Sequence, residues 1–150
     1  LALSRSLTLG GRKIAYSFLN TGVPHVVLFV PDLEKIDLMG TGKGIRTHRA
    51  FAPRGTNVNF VRVRKGEVLI RTYERGVEDE TLACGTGAVA AGILSALHGH
   101  VRPPVTVRTR GGEVLTIHFD AGSEGFGEVC LDGDTSWSCD GIMFQESYRY

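Results

Sequence analysis

Apolar and polar positions alternate with a period of two along most of this chain, and glycine repeatedly interrupts the alternation. SLTLGGRKIAYSFLN, residues 6–20, alternates about Gly10-Gly11 and reads as a β-hairpin. HVVLFV, residues 25–30, is a β-branched run that reads as a strand. NVNFVRVRKGEVLIRTYERG, residues 57–76, is a second hairpin turning at Lys65-Gly66, and VTVRTRGGEVLTIHFDAG, residues 105–122, repeats the design about Gly111-Gly112. GEVCLDGD, residues 127–134, gives one more strand. The connection over residues 36–56 is glycine-rich, with weaker, short-helical character. Twenty glycines suit so many tight reversals. The hairpins are too few and too irregularly spaced for a repeat array.

One stretch breaks the period. TGAVAAGILSALH, Thr86 to His98, is small or apolar on every side, so it predicts a helix surrounded by protein. Gly99 is its stop signal, and His98 and His100 lie near the negative end of its dipole. Strands around one such helix predict an α+β fold, a barrel-like curved mixed sheet wrapped around a single central apolar helix. No linker divides the chain, so residues 1–150 read as one domain.

Composition narrows the partners. With 42% hydrophobic and 22% charged residues, 150 residues can bury about 70% of the surface that the unfolded chain exposes. Seventeen basic against sixteen acidic residues leave a net charge of +1 with no long run of one sign, which argues against nucleic acid or an anionic membrane surface. Three cysteines without a CxxC pair disfavour a disulfide framework or a structural zinc site and suit a reducing cytoplasm. No apolar run is long enough for a membrane span, and no signal peptide precedes the first strand. The five histidines form no metal-ligand pattern. GTGKGIRT lacks the phosphate-loop spacing, because Gly44 follows Lys43 where Ser or Thr is required.

The candidate chemistry sits at the start of the apolar helix. Cys84 precedes Gly85-Thr86-Gly87, where a thiol meets unpaired backbone N–H groups that favour thiolate, so a pKa below the free-thiol value is expected. The same N–H groups can hold a carboxylate, and the glycines let a ligand approach the backbone. A base and an anion site side by side suit proton transfer at a carbon next to a carboxylate. The bland alternative is a small packed hydrophobe.

ERGVEDETLACGTGAVAAG, residues 74–92, resembles the second active-site motif of the diaminopimelate epimerase family. NTGVPHVV and RGTNVNFV resemble the two preceding substrate motifs in the same order, so the likeness spans roughly residues 18–92. The resemblance implies two similar halves, each a β barrel around a central helix, with this chain as the C-terminal half and the N-terminal half outside it. It also implies cofactor-independent epimerisation of LL- to meso-diaminopimelate, without pyridoxal phosphate, in lysine and peptidoglycan precursor synthesis. The partners are then a small amino-acid substrate, the N-terminal half of the same enzyme and a second copy in a homodimer. One cysteine removes the α-proton and another delivers one on the opposite face. Cys84 matches the second of these, and the first belongs to the N-terminal half.

Other residues carry over from the resemblance one at a time. His25 and Glu74 match positions that adjust the two cysteine pKa values. Glu74 and Arg75 match contacts to a substrate ammonium and carboxylate, Asn57 a contact to the distal amino-acid end, and Gly85 and Thr86 the helix-terminus contacts. Val23 departs from the family's commoner Asn, leaving Asn20 as the amide of that turn. Residues 77–80, VEDE, form a loop that looks one residue longer than usual, and Cys130 and Cys139 match no motif and read as packed or incidental thiols. Two rival readings are a half of a proline or hydroxyproline racemase and a non-catalytic β-rich ligand-binding module.

Overall fold

The computed structural model describes residues 1–122, 125–144 and 146. Its strands are β1 (Ala2–Leu9), β2 (Arg12–Asn20), β3 (Pro24–Phe29), β4 (Asn57–Arg64), β5 (Glu67–Glu74), β6 (Asp79–Thr81), β7 (Val105–Arg108), β8 (Val114–Gly122) and β9 (Gly125–Gly133). Its helices are α1 (Leu38–Arg46) and α2 (Gly85–Leu97), with a short 3-10 turn at Arg49–Phe51. The strands form one mixed sheet in the order β1-β2-β3-β4-β5-β7-β8-β9, with β6 also paired to β5. Neighbours are antiparallel except β3 with β4 and β5 with β7. Those two parallel pairs need crossovers, and α1 and α2 lie in them.

The sheet curls about α2, as the apolar run requires. The core on that face joins Ala88, Ala91, Ile93 and Leu94 of α2 to Val27, Val61, Val68, Ile70, Val107 and Ile117 of the strands. Burying each large side chain contributes about 1.5–3 kcal/mol. Small residues bring helix and sheet close: a Cβ on Gly92 would lie 3.2 Å from Ile117. The helix ends as a Schellman motif, with Gly99 at φ +76 and bonds from Gly99 N–H to the Ala96 carbonyl and from His100 N–H to the Ser95 carbonyl. His98 and His100 both pack edge-on against Phe29, and His98 Nε2 lies 2.8 Å from Ser17 Oγ. The α2 bounds fall one residue earlier than the sequence pattern suggests, with Cys84 as N-cap and His98 as C-cap.

A second core covers the other face. Val26 and Leu28 of β3, Val58 and Phe60 of β4 and Tyr73 of β5 meet Leu38 and Ile45 of α1. This explains why VVLF, after His25, is continuously apolar: β3 is buried on both faces. Asp37 caps α1 by accepting the Gly40 N–H at 2.9 Å. Gly42 and Gly44 each cost about 1 kcal/mol of helix propensity, but a Cβ on them would lie 2.7 Å from Tyr73 and 2.9 Å from Leu9. Close packing on the sheet therefore demands glycine at position 42, against the Cβ and ring of Tyr73, whereas at Gly44 only the methyl ends of Leu9 would have to move. The helix is a second layer, where the sequence pattern gave only one central helix and a weak connection.

The VEDE loop also differs from its reading as a plain loop. Asp79–Thr81 pairs with β5, Glu74 opposite Asp79 and Thr72 opposite Thr81. A forked ion pair clamps it, Arg71 reaching the two Glu80 oxygens at 2.6 and 2.7 Å, and this holds the Glu80 carboxyl below the usual carboxylate range.

Candidate active site

The inner face of the central strands changes character along its length. Alternation puts His25 and Val27 of β3, Asn57, Asn59 and Val61 of β4, and Val68, Ile70 and Thr72 of β5 on the α2 side. Register aligns the polar members: His25 pairs with Asn57, and Asn59 with Thr72. One end of the face is therefore apolar, and the other is polar beneath the first turn of α2.

Those polar groups are buried and bonded in series. The Thr72 hydroxyl donates to Asn59 Oδ1 at 3.0 Å, and Asn59 Nδ2 lies 2.9 Å from the Val26 carbonyl and 3.1 Å from His25 Nδ1. His25 Nε2 lies 3.1 Å from Thr86 Oγ1, which is 3.7 Å from Cys84 Sγ. The Thr21 hydroxyl donates to the Thr86 carbonyl at 3.2 Å, strapping the β2–β3 turn to the helix start. Asn20 closes that turn by accepting the Gly22 N–H.

Cys84 is half-buried at the N-cap and makes no capping bond. Burial pushes its thiol pKa up, and the Glu74 charge adds to the rise; the Thr86 hydroxyl and the Gly87 N–H pull the other way without cancelling it. This reverses the expectation of a lowered pKa. A helix terminus alone favours thiolate, but here the sulfur is partly withdrawn from water and feels the charge of Glu74. Gly87 cannot be replaced without displacing this group, since its Cβ would lie 2.6 Å from Asn59 Oδ1 and 3.1 Å from Cys84 Sγ.

His25 is fully buried, and its pKa is lowered to about 4, first by burial and second by the Arg75 charge. An amide that donates to Nδ1 offers the charged ring nothing against these effects. At neutral pH the ring is uncharged.

The other residues carried over from the family motifs lie at or beside this end, in different settings. Glu74 ends β5, half-buried, and acts on Cys84 through its charge. Arg75 follows it, and its guanidinium is in no ion pair among the described residues, whereas Arg46, Arg71, Arg108 and Arg110 each hold a carboxylate. Asn57 is buried and bonded to backbone on both sides, donating to the Pro24 carbonyl at 3.1 Å and accepting the Arg75 N–H at 2.8 Å. Gly85 and Thr86 form the exposed first turn of α2. Asn59 and Thr72 were not picked out by motif. The signal was their parity with His25 and Asn57 once the strands are in register. Cys130 and Cys139 are both exposed, so of the two readings, packed or incidental, they are not packed.

Because the sheet is not closed, a cavity of about 510 Å³ opens between the end of β2, α2 and β9. Leu19, Val89, Ile93, Phe126, Val129 and Leu131 give it apolar walls, and Asn20, Thr21, Gly85 and Thr86 give it a polar end. A molecule held there would meet the first turn of α2 with its polar group.

The diaminopimelate epimerase family pattern matches residues 17–136, which contain all of these groups. The chain belongs to the diaminopimelate epimerase family. The diaminopimelate epimerase of Aquifex aeolicus is 49% identical over 148 residues, 97% of this chain and 52% of that protein. That of Hydrogenobaculum sp. (strain Y04AAS1) is 45% identical over 135 residues, covering 87% of this chain and 47% of its own. That of Archaeoglobus fulgidus is 41% identical over 140 residues, covering 93% and 47%. The chain thus spans about half the length of these relatives. A solved structure of the phenazine biosynthesis protein PhzF family from Enterococcus faecalis covers 64% of this chain and 34% of its own at TM-score 0.49 and 14% identity, a likeness too slight to build on. Among the described residues no helix is long and apolar enough to cross a membrane.

Proposed function

We propose that this chain is one half of a diaminopimelate epimerase and that Cys84 is the acid/base group for one face of the substrate's α-carbon. The observation that carries the reading is the setting of Cys84. It lies at the start of a buried helix, 3.7 Å from the Thr86 hydroxyl, which in turn meets His25, with a carboxylate and a guanidinium that is unpaired among the described residues on the neighbouring strand end. Family membership supplies the substrate class.

The residues divide the work by charge. Arg75 and the N–H groups of Gly85 and Thr86 suit the α-carboxylate, and Glu74 suits the α-ammonium. Asn57 keeps one amide proton beyond its two backbone bonds, which suits the distal amino-acid end. Burial holds Cys84 as the thiol. In one direction its S–H proton passes to the α-carbon while a thiolate on the opposite face, from the other half, takes the departing proton. One C–H bond breaks and one forms, inverting the centre. The Thr86 hydroxyl and the Gly87 N–H then face the Cys84 thiolate, which takes the proton in the reverse direction. Two groups are needed because one cannot easily reach both faces.

The test is formation of meso product from LL-diaminopimelate by the complete two-half enzyme, by its Cys84→Ala variant and by this 150-residue chain alone. Conversion by the complete enzyme only, with Cys84→Ala slower by about 10³-fold or more, is expected. Conversion by the chain alone at an enzyme-like rate, or an active Cys84→Ala enzyme, would overturn the proposal.

A further inference from the structure

Asn59 lies fully buried on the inner face of β4, with Val26, Thr72 and His25 around its amide. The Val26 carbonyl can only accept a hydrogen bond, so the atom 2.9 Å from it is the amide nitrogen. That assignment puts the same nitrogen 3.1 Å from His25 Nδ1 and leaves the amide oxygen to accept from the Thr72 hydroxyl. Both amide protons are then directed, one at the carbonyl and one at the ring. A ring nitrogen that accepts a hydrogen bond does not carry the proton. The hydrogen of neutral His25 is therefore on Nε2, which faces Thr86 Oγ1 at 3.1 Å.

We propose that Asn59 is a positioning residue of the epimerisation: it locks neutral His25 in the Nε2–H tautomer, so that the ring donates to the Thr86 hydroxyl and leaves that hydroxyl's own proton for the Cys84 sulfur. The proposal rests on the reading of Cys84 as the acid/base group. With the opposite tautomer, Nε2 would accept the Thr86 proton and the thiolate would lose its side-chain donor at 3.7 Å. The direction of the whole series, Thr72 to Asn59 to His25 to Thr86 to Cys84, is thus set by one carbonyl that cannot donate. Asn59 has no exposed surface, so its effect falls on the thiolate and on kcat rather than on substrate contact. A mere strut between β3 and β4 would change stability and leave the tautomer free.

The tautomer can be read without any substrate, which separates this proposal from the epimerase reading itself. In protein labelled with nitrogen-15 histidine, two-bond proton–nitrogen correlation spectra at neutral pH should show His25 protonated on Nε2 and bare on Nδ1. His25 is identified by elimination from single substitutions at His48, His98, His100 and His118. A proton on Nδ1, or averaging between tautomers, would overturn the proposal. In the complete enzyme, Asn59→Ala and Thr86→Val should each lower kcat about tenfold, the worth of one hydrogen bond to a charged group, with KM within about twofold. The double variant should be no slower than Thr86→Val, because the series is already cut. Multiplying losses, or losses confined to KM, would contradict it. If Asn59→Ala does not fold, the wild-type tautomer and the Thr86→Val kcat still decide.

Discussion

The two ends of one sheet face solve opposite problems. At the apolar end, Val27, Val61, Val68 and Ile70 pack on α2, and any shape that fills the space holds the fold. At the polar end, His25, Asn57, Asn59 and Thr72 occupy the same strands, equally buried, and hydrogen-bond partner and direction decide what is allowed. A buried polar group left without a partner costs about 1–3 kcal/mol, so this end is stable only as a bonded set. The strands run continuously from one end to the other. Rigid packing at one end therefore holds the other under the helix terminus where chemistry would occur.

Breaking the apolar end should give the largest change in stability. Leu94→Ala, in the last turn of α2 and fully buried, is expected to lower unfolding free energy by about 2–5 kcal/mol in denaturant titration. The neutral His25 ring should persist in whatever fraction stays folded. A loss under about 1 kcal/mol would mean that α2 is not the centre of the core.

The polar end should be the more sensitive to acid. His25 has a folded pKa of about 4, against about 6.5 unfolded. A lowered histidine pKa means that the unfolded chain binds more protons, so stability falls as pH falls, starting near the unfolded value and ending below the folded one. The loss should approach about 3 kcal/mol between those two pH values. Comparing pH-dependent unfolding of wild type and His25→Gln isolates this contribution. Identical slopes in the two proteins would show that His25 is not held neutral.

Much of the apolar end was legible in sequence, and the reasons are local. The turns at Gly10-Gly11 and Lys65-Gly66 and the unbroken apolar run of α2 each declare themselves within a few residues. α1 did not, because Gly42 and Gly44 weaken its helical signal, Gly42 for the sake of Tyr73, which lies far away in sequence. Nor did β6, a polar triplet that becomes a strand where Arg71 forks onto Glu80. At the polar end the motifs brought out Cys84, His25, Glu74 and Arg75, but Asn59 and Thr72 look like ordinary strand residues until register pairs them. The direction of the Cys84 pKa was misread for the same reason: a helix terminus is visible in sequence, and burial beside Glu74 is not.

A smaller effect separates site charge from surface charge. If Arg75 holds the substrate carboxylate, Arg75→Lys loses the two-pronged geometry and should raise KM about tenfold in the complete enzyme. Arg108→Lys, in a partly exposed pair with Glu67, should change KM by less than about twofold. Equal effects would remove Arg75 from the site.

The central claim, that this polar end supplies one proton-transfer group to one face of the substrate, is tested most directly by solvent deuterium. The complete enzyme is incubated with LL-diaminopimelate in deuterated water, and product and recovered substrate are analysed early in the reaction. Meso product should carry one deuterium at the inverted carbon, the LL substrate should carry almost none, and Cys84→Ala should form no labelled meso product. Deuterium entering recovered LL substrate as fast as meso product forms would mean that a single group serves both faces, and would contradict the account.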